Sequence, residues 1–289
     1  MPINYLTFEV TMKKVYNFLI LIIISILLVG CVVNPNRLIN EIINKEIDYG
    51  KVTVEDLQQL IQETVMKLED SVIGITFTEG IFPETTSFGS GVIVKRKALL
   101  KDDSLGEVDG NIQNYRYYVV TNRHVVMNKK NVAKNLKAYI GKLDLEYDSI
   151  CLYYDDAVDI ALVQFDCPAY FVPVVIGDST VLKKGSFALA IGNPYSFDYY
   201  SSVTFGIISH PLRYLEESGF NSKKSVNNEY IQHDAAINEG NSGGGLFDIY
   251  GNLIGINTLK IIGENQEIDN MGFSVPSSKI RLILGAYLK

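Results

Sequence analysis

Three side chains of this 289-residue chain carry the groups needed to attack an acyl carbon: Ser242, His124 and Asp159. Ser242 lies in Ala236-Ile237-Asn238-Glu239-Gly240-Asn241-Ser242-Gly243-Gly244-Gly245-Leu246, where glycines let the backbone turn sharply and approach a bound group closely. A serine hydroxyl is a poor nucleophile near neutral pH and needs a base within hydrogen-bond reach, itself oriented by a third group. Imidazole suits the base because its pKa lies near working pH. A carboxylate fixes the tautomer and stabilises the imidazolium. The N–H groups of Gly240 and Ser242, in the segment Gly240-Asn241-Ser242, are placed to converge on one oxyanion. A single donor of that kind is worth about 3–4 kcal/mol.

Only three histidines compete for the base. His124 ends the apolar run Tyr118-Val119-Val120-Thr121-Asn122-Arg123, where a strand would deliver it to a cleft. His210 precedes Pro211 at the start of a polar stretch. His233 follows Tyr230-Ile231-Gln232 and is the second choice. For the acid, Asp159 directly precedes Ile160-Ala161-Leu162-Val163, whereas Asp155 and Asp156 have the look of turn residues. Gly240-Asn241-Ser242-Gly243-Gly244 also fits the G-x-S-x-G elbow of α/β-hydrolases, but that fold places its acid and His after the Ser, and no His follows Ser242.

Composition narrows the class. Apolar residues make up 47% and charged residues 20%, which is globular, and a net charge of −7 argues against a nucleic-acid surface. No phosphate-binding Gly-rich loop with a following Lys occurs, and neither a cofactor nor a metal site is expected. The three cysteines, Cys31, Cys151 and Cys167, form no CxxC pair. Cys151 and Cys167 are expected to be buried thiols, able to pair only across adjacent strands.

The N-terminus has the grammar of an address. Lys13-Lys14 precede an apolar run from Val15 to Val29 that ends in small residues. Leu28-Val29-Gly30-Cys31 resembles a bacterial lipobox, which implies cleavage before Cys31 and lipidation of its thiol. A retained membrane anchor is the alternative; either way the body is extracytoplasmic and membrane-attached. Met12 is a more natural start than Met1. The expected organisation is 1–31 signal peptide and lipobox, 32–70 tether and N-terminal helix, 71–170 a first β-barrel, and 171–289 a second β-barrel with a C-terminal helix.

Within 32–70, Arg37–Ile47 is weakly helical. Thr53-Val54-Glu55-Asp56 resembles a capping box ahead of Val54, Leu57, Leu60, Ile61, Val65 and Leu68 at helical spacing, predicting a helix over 54–68. Its apolar stripe packs on the body; an oligomer contact is the alternative, so a homo-oligomer is kept among the candidate partners. From Ser71 onward, short β-type runs with turn signals between them predict an all-β fold. They include 72–77, 91–94, 115–120, 137–140, 149–154, 160–165, 172–176, 187–191, 202–209, 230–232, 244–248, 253–258 and 272–275. The charged stretches 95–114 and 212–228 are expected to be surface loops. Ser277 is expected to cap a C-terminal helix through 279–284.

Several ordered segments together resemble the trypsin-like serine proteases, most closely the HtrA/DegP branch. They are Ser90-Gly91-Val92-Ile93, Thr121-Asn122-Arg123-His124, Asp159-Ile160-Ala161-Leu162, Ala190-Ile191-Gly192-Asn193-Pro194, Ile231-Gln232-His233-Asp234-Ala235-Ala236, Gly240-Asn241-Ser242-Gly243-Gly244 and Ile254-Gly255-Ile256-Asn257-Thr258. The resemblance spans about residues 71–280. It implies two perpendicular six-stranded antiparallel β-barrels of chymotrypsin type, with short terminal helices and His124, Asp159 and Ser242 between the barrels. It implies an oxyanion hole at Gly240, Asn241 and Ser242, and substrate binding at Ala236, Ile256, Asn257 and Thr258. Polypeptides would be the substrates.

The departures from the family pattern matter. Gly245 stands where the family often has Pro, which loosens the segment after Ser242. Asn241 replaces the Asp that receives a new N-terminus in trypsin-type activation, so ordering of loops around 195–201 and 212–228 is the expected control. HtrA proteins usually carry C-terminal PDZ domains, and with the sequence running to Lys289 peptide-tail sensing of that kind is not expected. Ala236, six residues before Ser242, replaces the Asp of enzymes that cut after Lys or Arg, so an uncharged aliphatic P1 residue is expected. The rival to an active endopeptidase is a catalytically silent binding or chaperone-like surface lipoprotein; a processing enzyme for one exported partner is a third reading.

Overall fold

The computed structural model describes residues 53–79, 85–100, 112–194, 197–218, 225–258 and 270–289. The signal run, Cys31 and the helix expected over 37–47 lie outside the described residues. Helix α1 (Val54–Leu68) forms as its spacing predicts, with Glu55 and Asp56 in the first turn and Lys67 in the last, each favourable to the helix dipole. Leu68 is buried, Ile61 and Val65 pack beside it, and the Thr64 hydroxyl donates to the Ile249 carbonyl at 2.9 Å.

The strands are β1 (Val72–Glu79), β2 (Thr85–Leu100), β3 (Ile112–Thr121), β4 (Met127–Asn128), β5 (Asn131–Val132), β6 (Lys137–Ile140), β7 (Leu145–Asp155) and β8 (Ile160–Cys167) in the first half. They continue as β9 (Phe187–Gly192), β10 (Ser202–Ser218), β11 (Ser225–His233), β12 (Gly245–Phe247), β13 (Leu253–Thr258) and β14 (Gly272–Pro276), and helix α2 (Ser277–Leu284) closes the order. Six strands close into a barrel in the order β1-β2-β3-β8-β7-β6, and six more in the order β10-β11-β14-β13-β12-β9. The pairings within both barrels are antiparallel. The all-β class and the two six-stranded barrels expected from the sequence are therefore present. Closure removes the exposed edges that an open sheet would offer to other chains.

Alternation along the strands sorts side chains into distinct cores. Ile73, Ile75, Ile93, Tyr117, Val119, Ala161, Val163 and Phe165 form one cluster from the first barrel. The intervening residues Val72, Val92, Val120, Ile160 and Leu162 pack with Leu189, Ile191, Tyr230, Phe247, Ile256 and Val275 of the second barrel, and with Leu68, Ile280 and Leu284 of the helices. This shared cluster holds the barrels together. Burying one such aliphatic or aromatic side chain contributes about 1.5–3 kcal/mol.

Three expectations are corrected. The described parts of 95–114 and 212–228 are strand rather than loop: β2 and β3 pair out to Leu100↔Ile112, and β10 and β11 out to Ser218↔Ser225. Residues 172–176 form no strand; only Ile176 makes an isolated parallel bridge, to Leu253, as the segment passes between the barrels. Ser277 is the first residue of α2 rather than its cap. Its hydroxyl donates to the Gly177 carbonyl and accepts from Ser179 N–H, which ties the helix to the inter-barrel segment instead. Cys151 and Cys167 are free thiols on the adjacent strands β7 and β8; Cys167 is buried as expected, whereas Cys151 is only partly buried. Burial pushes the Cys151 thiol up to about 11.

Candidate active site

β3 ends at Thr121, and the chain tightens into a 3₁₀ turn over His124–Val126 that places the imidazole at the barrel end. Asp159 sits one residue before β8 with φ 58°. Asp tolerates this left-handed conformation better than most residues. Five hydrogen bonds hold it there. The Asp159 carbonyl accepts from Arg123 N–H (3.1 Å) and Asn122 Nδ2 (3.0 Å). One carboxylate oxygen accepts from His124 N–H at 2.9 Å, and the other lies 2.7 Å from His124 Nδ1 and 3.3 Å from the Thr258 hydroxyl. With Nδ1 engaged by the carboxylate, Nε2 is the nitrogen left to take a proton. Nearby, Asp155 caps the turn before Asp159 by accepting from Ala157 and Val158 N–H, and Asp156 pairs with the buried Arg123.

Ser242 comes from the other barrel, between β11 and β12. Gly240 has φ 90° and Gly243 φ 84°. Only glycine fits at 243, because a Cβ there would lie 2.0 Å from the Ser90 carbonyl oxygen and 2.2 Å from the Thr121 hydroxyl. Ser90 N–H donates to the Ser242 carbonyl at 2.8 Å, so the loop is stitched to β2 of the first barrel, beside the strand that leads to His124. The Ser242 hydroxyl is buried and has no hydrogen-bond partner among the described residues. The N–H groups of Gly240 and Ser242 likewise donate to no acceptor among them. Buried donors left unpaired are rare because desolvating them costs free energy. These two are free to serve an incoming oxyanion.

A second network backs this loop. Asn257 accepts from Gly243 N–H (2.9 Å), donates its own N–H to the Gly244 carbonyl (2.8 Å) and donates Nδ2 to the Gly245 carbonyl (3.0 Å). Its Oδ1 accepts from the Ser274 hydroxyl at 2.9 Å, and Ser274 lies 3.0 Å from His233 Nε2. Because Ser274 spends its proton on Asn257, His233 Nε2 is the donor in that pair. Burial pushes the His233 imidazole down to about 4, against smaller opposing effects of the Ala235 backbone and the Asp234 carboxylate. His233 is thus fully buried and bonded to Ser274, not to Ser242. His210 lies on β10, where its Nδ1 accepts from Leu212 N–H.

The expected substrate-binding residues separate. Ala236 is exposed, and its carbonyl accepts from the Thr204 hydroxyl at 2.9 Å. Ile256 is buried in the core shared by the barrels, and the Asn257 side chain is committed to Gly245 and Ser274. The Thr258 hydroxyl goes to Asp159. Asn241, expected in the oxyanion hole, instead donates its N–H to the Asn238 carbonyl at 3.0 Å; its Oδ1 packs over Gly192 and has no hydrogen-bond partner among the described residues. At Gly245, a Cβ would lie 2.2 Å from the Phe247 ring, so the missing side chain makes room for a buried aromatic. Sequence reasoning missed the roles of Ser90, Ser274 and Thr258; the polar residue between the glycines of Gly89-Ser90-Gly91 is the one local signal. Among the described residues no group of three His, Cys, Asp or Glu side chains could hold a metal ion.

The trypsin-like peptidase domain family matches residues 89–256, more than half of the chain. The chain belongs to this family. Its relatives include serine protease HTRA1B of Danio rerio, 34% identical over 227 residues that cover 78% of this chain and 40% of that protein. The periplasmic pH-dependent serine endoprotease DegQ of Escherichia coli is 38% identical over 57% of this chain and 33% of its own length. Among solved structures, an HtrA-type protease with a tripeptide aligns with a TM-score of 0.57 at 28% identity, over 79% of this chain and 64% of that one. The chain thus spans 40% or less of the length of these curated relatives. Among the described residues no helix is long and apolar enough to cross a membrane.

Proposed function

We propose that this trypsin-like family member is an extracytoplasmic serine endopeptidase acting on exported or misfolded polypeptides. Ser242 is the nucleophile, His124 the general base and acid, and Asp159 the orienting carboxylate. The carrying observation is the 2.7 Å contact between His124 Nδ1 and Asp159, with the Asp159 carboxylate also held by His124 N–H. In the first step the Ser242 O–H proton passes to His124 Nε2 as Oγ bonds to the substrate carbonyl carbon. The electron pair moves to the carbonyl oxygen, where the N–H groups of Gly240 and Ser242 receive it. His124 then returns the proton to the departing amine, leaving an acyl-enzyme. Water repeats the sequence and frees the acid. Ala236, six residues before the nucleophile, supplies no carboxylate to pair a cationic P1 group, which favours uncharged aliphatic side chains there.

Lipidation of Cys31 would hold this acidic body on a bacterial membrane, where charge alone would not. The relatives whose names call them periplasmic support the compartment. A single experiment tests the reading: incubate purified protein with an unfolded polypeptide and follow new termini by mass spectrometry, with Ser242→Ala alongside. Cleavage by the native chain, abolished in the variant and enriched after aliphatic residues, is the expected result. Intact substrate in both, with binding retained, would support the silent binding protein instead. On that side stands the Ser242 hydroxyl, which makes no hydrogen bond to His124 or to any other described residue. In cells, Cys31→Ser should release the protein from membranes or block its maturation; unchanged attachment and processing would remove the lipid assignment.

A further inference from the structure

Ser90 lies in β2 of the first barrel and is completely buried, yet every polar group it owns is spent on the region around Ser242. Its hydroxyl donates to the Gly240 carbonyl at 2.7 Å and accepts from Asn193 N–H (2.9 Å) and Asn193 Nδ2 (3.2 Å). Its N–H donates to the Ser242 carbonyl, and its carbonyl accepts from the Thr121 hydroxyl at 2.6 Å. A hydroxyl offers one proton and two lone pairs. All three are used, so the direction of the donated bond is fixed rather than free to rotate.

Gly240 needs such a tether. It has no side chain, it sits at φ 90°, and its N–H donates to no acceptor among the described residues. Its carbonyl accepts from the Ser90 hydroxyl, and the same peptide group donates its Asn241 N–H to the Asn238 carbonyl at 3.0 Å. Glycine crosses between conformations that other residues cannot reach, so an untethered Gly240 has many ways to turn its N–H from the cleft. The flanking units are pinned separately: Asn241 N–H donates to Asn238, Gly244 N–H donates to the Asn241 carbonyl, and Gly243 N–H donates to Asn257. Of these, only the Asn241 N–H shares a peptide group with the Gly240 carbonyl, so the Ser90 hydroxyl is the one side-chain hydrogen bond on that group among the described residues.

We propose that the Ser90 hydroxyl is the positioning group that holds Gly240 in the conformation presenting its N–H to the developing oxyanion. The inference rests on the endopeptidase reading above. Ser90 touches neither substrate nor nucleophile oxygen; it acts through a peptide group contributed by the other barrel. Because the oxyanion exists only in the transition state, loosening its donor lowers kcat and leaves KM nearly unchanged.

Steady-state cleavage of an aliphatic-P1 peptide tests this with the full chain and three variants. Ser90→Ala removes the hydroxyl, Ser90→Cys fills the same place with a weak S–H donor, and Ser90→Thr keeps the hydroxyl. Outright loss of an oxyanion donor costs about 10²–10³ in kcat. Ser90→Ala and Ser90→Cys, whose donor is loosened rather than removed, are expected to lose about 10- to 100-fold in kcat, with KM within about threefold. A peptide boronate, whose tetrahedral adduct carries a comparable charge, should lose affinity by the same factor as kcat/KM, and Ser90→Thr should recover most of both. Should Ser90→Ala fail to fold, Ser90→Cys decides alone. Native kcat in either folded variant, or a loss confined to KM, overturns the proposal. Absence of cleavage by the unsubstituted protein would instead overturn the endopeptidase reading on which it stands.

Discussion

At Asp159 and His124 a strained backbone and five hydrogen bonds serve one outcome, a fixed imidazole with Nδ1 engaged and Nε2 free. Asp159→Asn keeps the shape but can present an N–H to Nδ1, which forces the opposite tautomer. The expected loss is about 10⁴-fold in kcat with the fold intact, the scale of the same acid-to-amide change in a chymotrypsin-type triad. Peptide cleavage assays with circular dichroism as a folding control check it; a loss below tenfold would remove Asp159 from the mechanism. These side chains are legible in the sequence because each sits in a short local motif. His233 is not. A histidine following an apolar run and nine residues before the nucleophile has the same local appearance whether it faces a cleft or a core, and only tertiary packing over Gly272 assigns it. Ser90 is hidden for a related reason: its partners lie 103 and 150 residues away along the chain.

Among the elements, the two long hairpins are harder to foresee than the barrels. Strands buried on both faces announce themselves by short, nearly continuous apolar runs, as in β8 and the start of β13. The distal parts of β2, β3 and β10 include exposed and half-buried positions, so polar residues accumulate there and mimic a loop. The turn after β9 is tied across the barrels. Tyr200 lays its ring over Gly141 of the first barrel and donates its hydroxyl to the Val72 carbonyl at 3.1 Å. Ser201 N–H then donates to Asn193 Oδ1, and Asn193 reaches Ser90. A Cβ on residue 141 would lie 2.2 Å from that ring. Gly141→Ala should therefore displace Tyr200, lower Tm by roughly 3–8 °C and reduce kcat through Asn193 and Ser90. Differential scanning calorimetry and the peptide assay read the two effects; a variant with native Tm and native kcat would show that the contact is dispensable.

For the whole molecule, the cluster shared by both barrels and both helices makes stability and site geometry parts of one core. The buried, neutral His233 in the second barrel gives that core a pH dependence. Its unfolded-state counterpart takes up a proton near pH 6.5, whereas the folded imidazole does so only near 4. Its full contribution is present above about pH 6.5 and is lost as pH falls toward 4, by an amount on the order of 3 kcal/mol. His233→Gln is expected to be less stable than the native chain at pH 7, with the gap narrowing steadily toward pH 4 in denaturant titrations. A gap independent of pH would mean that His233 is not held neutral by burial.

The central claim is that Ser242 is an activated nucleophile, and covalent capture tests it most directly. Native, folded protein treated with a fluorophosphonate and digested should yield one phosphonylated peptide, modified at Ser242, with adduct formation lost in His124→Ala. A folded native protein that gives no adduct, or one modified at a different serine, would contradict the account.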